Sequence, residues 1–80
     1  MKTEFKLDHP IKGDGGREIT TISVRRPRVK DIETMEEEPT NLKRSIRLLS
    51  LVAELSGDEV RALDGADFNR ISEAVADFLG

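Results

Sequence analysis

The sequence predicts an α+β fold, in which an N-terminal β-hairpin packs on three to four short C-terminal helices. Three observations carry this prediction: residue alternation near the N-terminus, regular proline and glycine punctuation, and apolar residues at helical spacing after residue 40. Strands followed by helices are typical of the α+β class. We expect one domain over residues 1–80, made of a hairpin (1–26) and a helical part (27–80).

The first strand of the hairpin is predicted at about residues 3–8. Phe5 and Leu7 alternate there with charged residues, which is typical of a half-buried strand. Pro10 is expected to end the strand because it cannot donate a ladder hydrogen bond. The glycine-rich stretch 12–16 then supplies a turn.

The second strand is predicted at about residues 17–25, which are rich in β-branched residues. Its alternation changes phase, because Ile19 falls on the opposite face from Ile22 and Val24. Either a bulge near Thr20–Thr21 restores the alternation, or both faces of the strand are covered.

The first two helices are predicted between residues 27 and 55. Val29, Ile32 and Met35 lie three apart after Pro27, which indicates a short helix that ends before Pro39. Thr40 or Asn41 is expected to cap a longer helix, which we call the middle helix and which runs to about Leu55. Its apolar arc spans roughly 200°, about twice what one core contact needs.

Two further helical segments follow, each with its own start signal. Ser56 with Glu59 predicts a capping box, although Gly57 could instead end the middle helix. Asp64 or Asp67 is expected to cap the last helix. That helix carries one narrow apolar stripe, formed by Phe68, Ile71, Val75, Phe78 and Leu79.

Composition excludes several classes of protein. The net charge is −3 and there is no Cys, Trp or Tyr, whereas a nucleic-acid-binding domain of this size is usually basic and carries stacking aromatics. No apolar run is long enough for a membrane span, and the N-terminus lacks the apolar core of a signal peptide. We therefore expect a soluble cytoplasmic protein.

The sequence contains no pattern typical of an enzyme, a metal site or a cofactor site. His9 with Asp8 and Asp14 lacks metal-ligand spacing and is interpreted as a set of polar turn residues. The glycine-rich stretch 12–16 lacks the ending of a phosphate-binding loop. Acidic residues late in the chain do not match a calcium loop, and helix capping explains all three of them: Asp58, Asp64 and Asp67.

Two segments are candidate binding surfaces. The basic cluster Arg25–Lys30 could contact phosphates, so a small DNA-binding regulator or adaptor is the alternative function. The wide apolar arc of the middle helix has two interpretations. It is either covered on both sides by the rest of the fold, or partly exposed as a surface for a partner helix or a second copy of the chain. The candidate partner-binding residues are Leu48, Leu51, Val52 and Leu55.

Short motifs along most of the chain resemble the tail assembly chaperone family of Mu-like phages and prophages. They are Leu7 with Pro10, Ile11 and Gly13; Arg25-Arg26-Pro27; Lys30-Asp31-Ile32; a leucine-rich helix that stops at Ser56-Gly57; and Leu63-Asp64 with Asp67-Phe68. The resemblance implies a protein that binds the helical tape measure protein and keeps it soluble during tail tube assembly, and it carries over no catalytic residues.

The resemblance also implies where such a protein acts and what else it meets. It would work in the cytoplasm of the bacterial host and be absent from the mature virion. Further partners would be a second copy of the chain, a longer form made by ribosomal frameshifting, and the tail tube protein. The chain ends at Gly80, directly after the last predicted helix, which is compatible with a short form.

Overall fold

The computed structural model describes residues 2–80 and has an antiparallel hairpin followed by four helices, which confirms the predicted α+β class. The strands are β1 (Lys2–Lys12) and β2 (Glu18–Arg25), joined by a 3-10 turn (Asp14–Gly16). The helices are α1 (Val29–Met35), α2 (Asn41–Ala53), α3 (Gly57–Arg61) and α4 (Gly65–Phe78). Gly15 and Gly16 have φ angles of 79° and 81°, which glycine adopts without strain and which a tight turn requires here.

A register shift interrupts the hairpin opposite Thr20, close to the bulge near Thr20–Thr21 that was one of the two alternatives. Lys6 pairs with Thr21 and Ile11 pairs with Ile19, so residues 7–10 of β1 lie opposite Thr20 alone. The extra residues are on β1, and Ile19 is buried in the same core as Ile22 and Val24.

The prediction that Pro10 ends the first strand is wrong. β1 continues to Lys12. Pro10 lies within the bulge, where the register shifts, so its missing N–H does not interrupt the ladder pairing on either side.

Side-chain caps settle the helix starts that the sequence left open. Thr40 caps α2 by accepting a hydrogen bond from the N–H of Lys43 at 3.1 Å. Ser56 and Glu59 form the predicted capping box, and Gly57 begins α3. Asp64 caps α4 by accepting from the N–H of Ala66.

The end of α2 differs slightly from the prediction. The helix stops at Ala53, because Glu54 adopts a left-handed conformation with φ of 56°. This residue plays the part that glycine usually plays at a helix C-terminus. Leu55 therefore lies in the connection to α3 instead of on the last turn of α2.

One hydrophobic core joins the hairpin to the helices. Its buried members come from both strands and from the helical part: Leu7, Ile11, Ile19, Ile22, Val24, Leu48, Leu49, Val52, Val60, Leu63, Ile71 and Val75. The Cα radius of gyration is 11.8 Å, close to the ~12 Å expected for a compact domain of this length. Among residues 2–80, no helix combines the length and apolarity needed to cross a membrane.

Candidate partner-binding surface

The four residues predicted to bind a partner divide into two pairs. Leu48 and Val52 are core residues, with 6% and 1% of their surface exposed. Leu51 and Leu55 are half-buried. The wide apolar arc of α2 is therefore largely covered, since α2 packs against α1, β2, α3 and α4. Partner binding by these four residues stays a prediction.

The exposed apolar surface of α2 lies nearer its N-terminus. Leu42 is 62% exposed, whereas Leu49, two turns later, is fully buried. Leu42 belongs to a shallow depression of about 200 Å³, which we call the α2–α3 hollow. It is lined by Leu42, Ile46, Val60, Leu63 and Phe68, together with Arg61.

A second apolar depression opens between α1, α2 and α4. It has a volume of about 160 Å³, and we call it the α1–α4 hollow. It is lined by Met35, Leu48, Leu49, Val75 and Leu79, together with Ser72. The hydroxyl of Ser72 is buried and forms no hydrogen bond with the described residues. Leu48 is thus the one predicted residue that reaches either hollow, and it is more deeply buried there than Leu79.

The basic cluster Arg25–Lys30 is partly engaged within the molecule. Arg25 forms two hydrogen bonds with the buried carboxylate of Asp31, at 2.7 and 2.9 Å, and also donates to the carbonyl of Leu51. The guanidinium of Arg26 stacks 5.3 Å from the centre of the Phe78 ring and donates to the carbonyl of the same residue. Two of the cations that the alternative function would need are therefore structural.

Asp31 is the first of three buried carboxylates that connect helices to the hairpin. The hydrogen bond from Arg25 is the main cause that lowers the pKa of Asp31 to about 2; burial opposes this shift, and the N–H of Arg28 adds to it. The carboxylate therefore stays ionised at neutral pH and holds the end of β2 against α1.

Glu59 on α3 is the second buried carboxylate that connects a helix to the hairpin. Its carboxylate accepts the N–H of Ser56 at 3.0 Å and the N–H of Asp14 at 2.8 Å, and it pairs with Arg17 at 3.2 Å. The hydrogen bonds from Ser56 and Asp14 outweigh burial and lower its pKa. The capping box that the sequence predicted is thus also the attachment of α3 to the hairpin turn.

Asp67 on α4 is the third, and the sequence did not reveal its role. Its carboxylate accepts the N–H groups of Asp8 and His9, at 3.2 and 3.0 Å, and pairs with Arg70 at 2.9 Å. Burial raises its pKa, but these hydrogen bonds together outweigh burial, so the pKa is lowered. The available signal was spacing, because Asp67 lies four residues before Ile71 and so shares the buried face of α4.

The polar residues of the β1 bulge and the turn contribute mainly through their backbone. The N–H groups of Asp8 and His9 donate hydrogen bonds to the carboxylate of Asp67, and the N–H of Asp14 donates to the carboxylate of Glu59. Over residues 2–80, no three His, Asp or Glu side chains converge in a way that could hold a metal ion.

The two apolar hollows are thus shallow depressions at the surface of a small α+β domain. The chain belongs to a family of phage tail assembly chaperones, described as "Phage tail assembly chaperone proteins, E, or 41 or 14", which matches residues 4–80. This confirms the family resemblance drawn from the short motifs. No curated protein and no solved structure matches the chain.

Proposed function

We propose that this chaperone binds the tape measure protein of its phage and keeps it soluble while the tail tube assembles. It would act in the cytoplasm of the bacterial host and leave before the virion is complete. The family membership supports a role in tail assembly. The observation that carries the binding proposal is the exposed apolar surface of α2 and its neighbours, centred on Leu42.

The α2–α3 hollow suits a helical client. Its floor is built from buried Val60 and Leu63, and its rim from exposed Leu42 and half-buried Phe68. A side chain of leucine size gains about 1.5–3 kcal/mol from complete burial, and a shallow depression of this kind supplies part of that amount. Several such contacts along a long helix would hide its apolar stripe from other copies of the client.

The test is co-expression of the tape measure protein with the chaperone, followed by measurement of the soluble fraction. The wild-type chaperone should raise that fraction, and Leu42→Glu should lose most of the effect because it places a charge in the hollow. Val29→Glu is the matched control, since Val29 is 80% exposed and lines neither hollow. An unchanged soluble fraction with the wild-type chaperone would contradict the proposed function.

Separate variants test the residues predicted from the sequence. Leu51→Glu and Leu55→Glu alter half-buried positions and should leave enough fold to assay. Substitution of Leu48 or Val52 by a charge would disrupt the core instead. If folded Leu42→Glu raises the soluble fraction as much as the wild type does and Leu51→Glu does not, the binding surface lies nearer the C-terminal end of α2.

A further inference from the structure

The α2–α3 hollow adjoins a cluster of positive charge. Ile46 and Arg61 line this hollow and also line a smaller depression of about 80 Å³ between α2 and α3. The smaller depression adds Lys43 and Arg47, and we call these two residues with Arg61 the basic rim. Apolar and basic surfaces therefore meet along shared side chains.

Few acidic side chains within residues 2–80 pair with the basic rim. Residues 41–53 of α2 contain three basic residues and no acidic residue, although the whole chain is acidic with a net charge of −3. The third of these basic residues, Arg44, donates to the carbonyl of Glu38. Among residues 2–80, Lys43 and Arg47 form no ion pair within 4.0 Å.

Asp58 and Glu38 are acidic side chains in contact with this surface. Arg61 pairs with Asp58 at 3.5 Å, but both side chains are mostly exposed, so this ion pair contributes little and is easily replaced. Glu38 lines the same depression as the rim. The residues that line the smaller depression therefore carry three positive charges and one negative charge.

From this juxtaposition we infer that the segment recognised by the chaperone is an acidic amphipathic helix. An apolar side chain of that helix fills the α2–α3 hollow, and Asp or Glu residues one turn away, at i+3 or i+4, pair with Lys43, Arg47 and Arg61. The α2–α3 hollow and the basic rim adjoin each other. Residues three or four apart lie on the same face of a helix, so one helix can contact both surfaces. The inference rests on the proposed function, because it describes the part of the client that the chaperone binds.

The experiment uses three synthetic helical peptides with the same apolar positions, flanked by Glu, by Gln or by Lys. Binding to the full-length chaperone is measured by fluorescence anisotropy at low and at moderate salt. The Glu peptide should bind about tenfold more tightly than the Gln peptide at low salt and lose that advantage as salt rises. The Lys peptide should bind most weakly.

A charge-reversed chaperone locates the effect. Lys43→Glu with Arg47→Glu should remove the preference for the Glu peptide and favour the Lys peptide. Lys6→Glu with Lys30→Glu is the matched control, because it changes the net charge equally at exposed positions outside both depressions. Circular dichroism verifies that both variants are folded.

The outcomes separate this inference from the proposed function. Equal binding of the three peptides, or an unchanged preference in Lys43→Glu with Arg47→Glu, would overturn the inference even if the tape measure protein is still solubilised. Self-association of the chaperone through the hollow, with exclusion of every peptide, would overturn it as well. The expected peptide preference without solubilisation would support the acidic helix while contradicting the proposed client.

Discussion

Three buried carboxylates, each on a different helix, hold the hairpin at three different places. Asp31 holds the end of β2, Glu59 holds the turn, and Asp67 holds the β1 bulge. Each accepts at least one backbone N–H of a non-helical segment, and those donors would be costly to bury without a partner. The charges thus fix the geometry with which the hairpin meets the helices.

Asp31 gives the molecule a defined acid sensitivity. Its folded-state pKa of about 2 lies below the ordinary value of 3.8, so its stabilisation is complete above pH 3.8 and is lost as the pH falls toward 2. Asp31→Asn should lower the free energy of unfolding by about 1–2 kcal/mol at pH 7, and by less at pH 2. Urea unfolding at both pH values measures this difference.

The control for that comparison is Glu33→Gln, on the same helix but outside the buried ion pair. Its effect on the free energy of unfolding should be near zero at both pH values. A cost of Asp31→Asn that stays constant between pH 7 and pH 2 would show that the stabilisation does not come from the ionised carboxylate.

At the scale of the elements, local start signals were predictable and tertiary contacts were not. Thr40 and Ser56 cap their helices through residues three positions away, so adjacent sequence contains the whole interaction. Asp67 acts on residues 58 and 59 positions away, and no local pattern encodes that contact. The burial of Leu48 and the exposure of Leu42 were likewise not readable from local sequence, because the depth of each residue depends on where α1 and α3 pack.

The two acidic residues at the start of α4 provide a direct test of this distinction. Asp64→Asn should change stability by no more than a few tenths of a kcal/mol, because Asn caps helices as well as Asp. Asp67→Asn should be clearly more destabilising, because the amide presents only one acceptor oxygen to the donors from Asp8, His9 and Arg70. Thermal melts of the two variants compare them.

Equal melting temperatures for Asp64→Asn and Asp67→Asn would contradict the assigned role of Asp67. Hydrogen exchange offers a second measurement. The amides of Asp8 and His9 should lose protection in Asp67→Asn and keep it in Asp64→Asn. Only Asp67→Asn removes a carboxylate oxygen that accepts their hydrogen bonds.

At the scale of the whole molecule, the hairpin and the helices share one core. Five of the buried apolar residues come from the strands: Leu7, Ile11, Ile19, Ile22 and Val24. The fold class was predictable because alternation and helical spacing are both visible in the sequence. The division into residues 1–26 and 27–80 was predicted as two parts of a single domain, and the shared core is the physical reason to expect one unfolding unit.

A fragment of residues 27–80 should therefore not fold alone. Removal of the hairpin exposes the buried face of α2 and α4, and a chain of this length has little other stabilisation without disulfides. Circular dichroism of the fragment should show weak helicity without a cooperative thermal transition. A cooperative melt of the fragment, similar to that of the full chain, would show instead that the helical part is an independent domain.

The absence of acidic residues from α2 has a consequence for engineering. The three neighbouring helices are attached to the hairpin by buried carboxylates, whereas α2 is held mainly by Leu49, Val52 and other buried apolar side chains. Its outward residues, Leu42, Lys43 and Arg47, take no part in those ties. Under the proposed function, a library restricted to these three exposed positions should change client preference while the buried face of α2 keeps its packing.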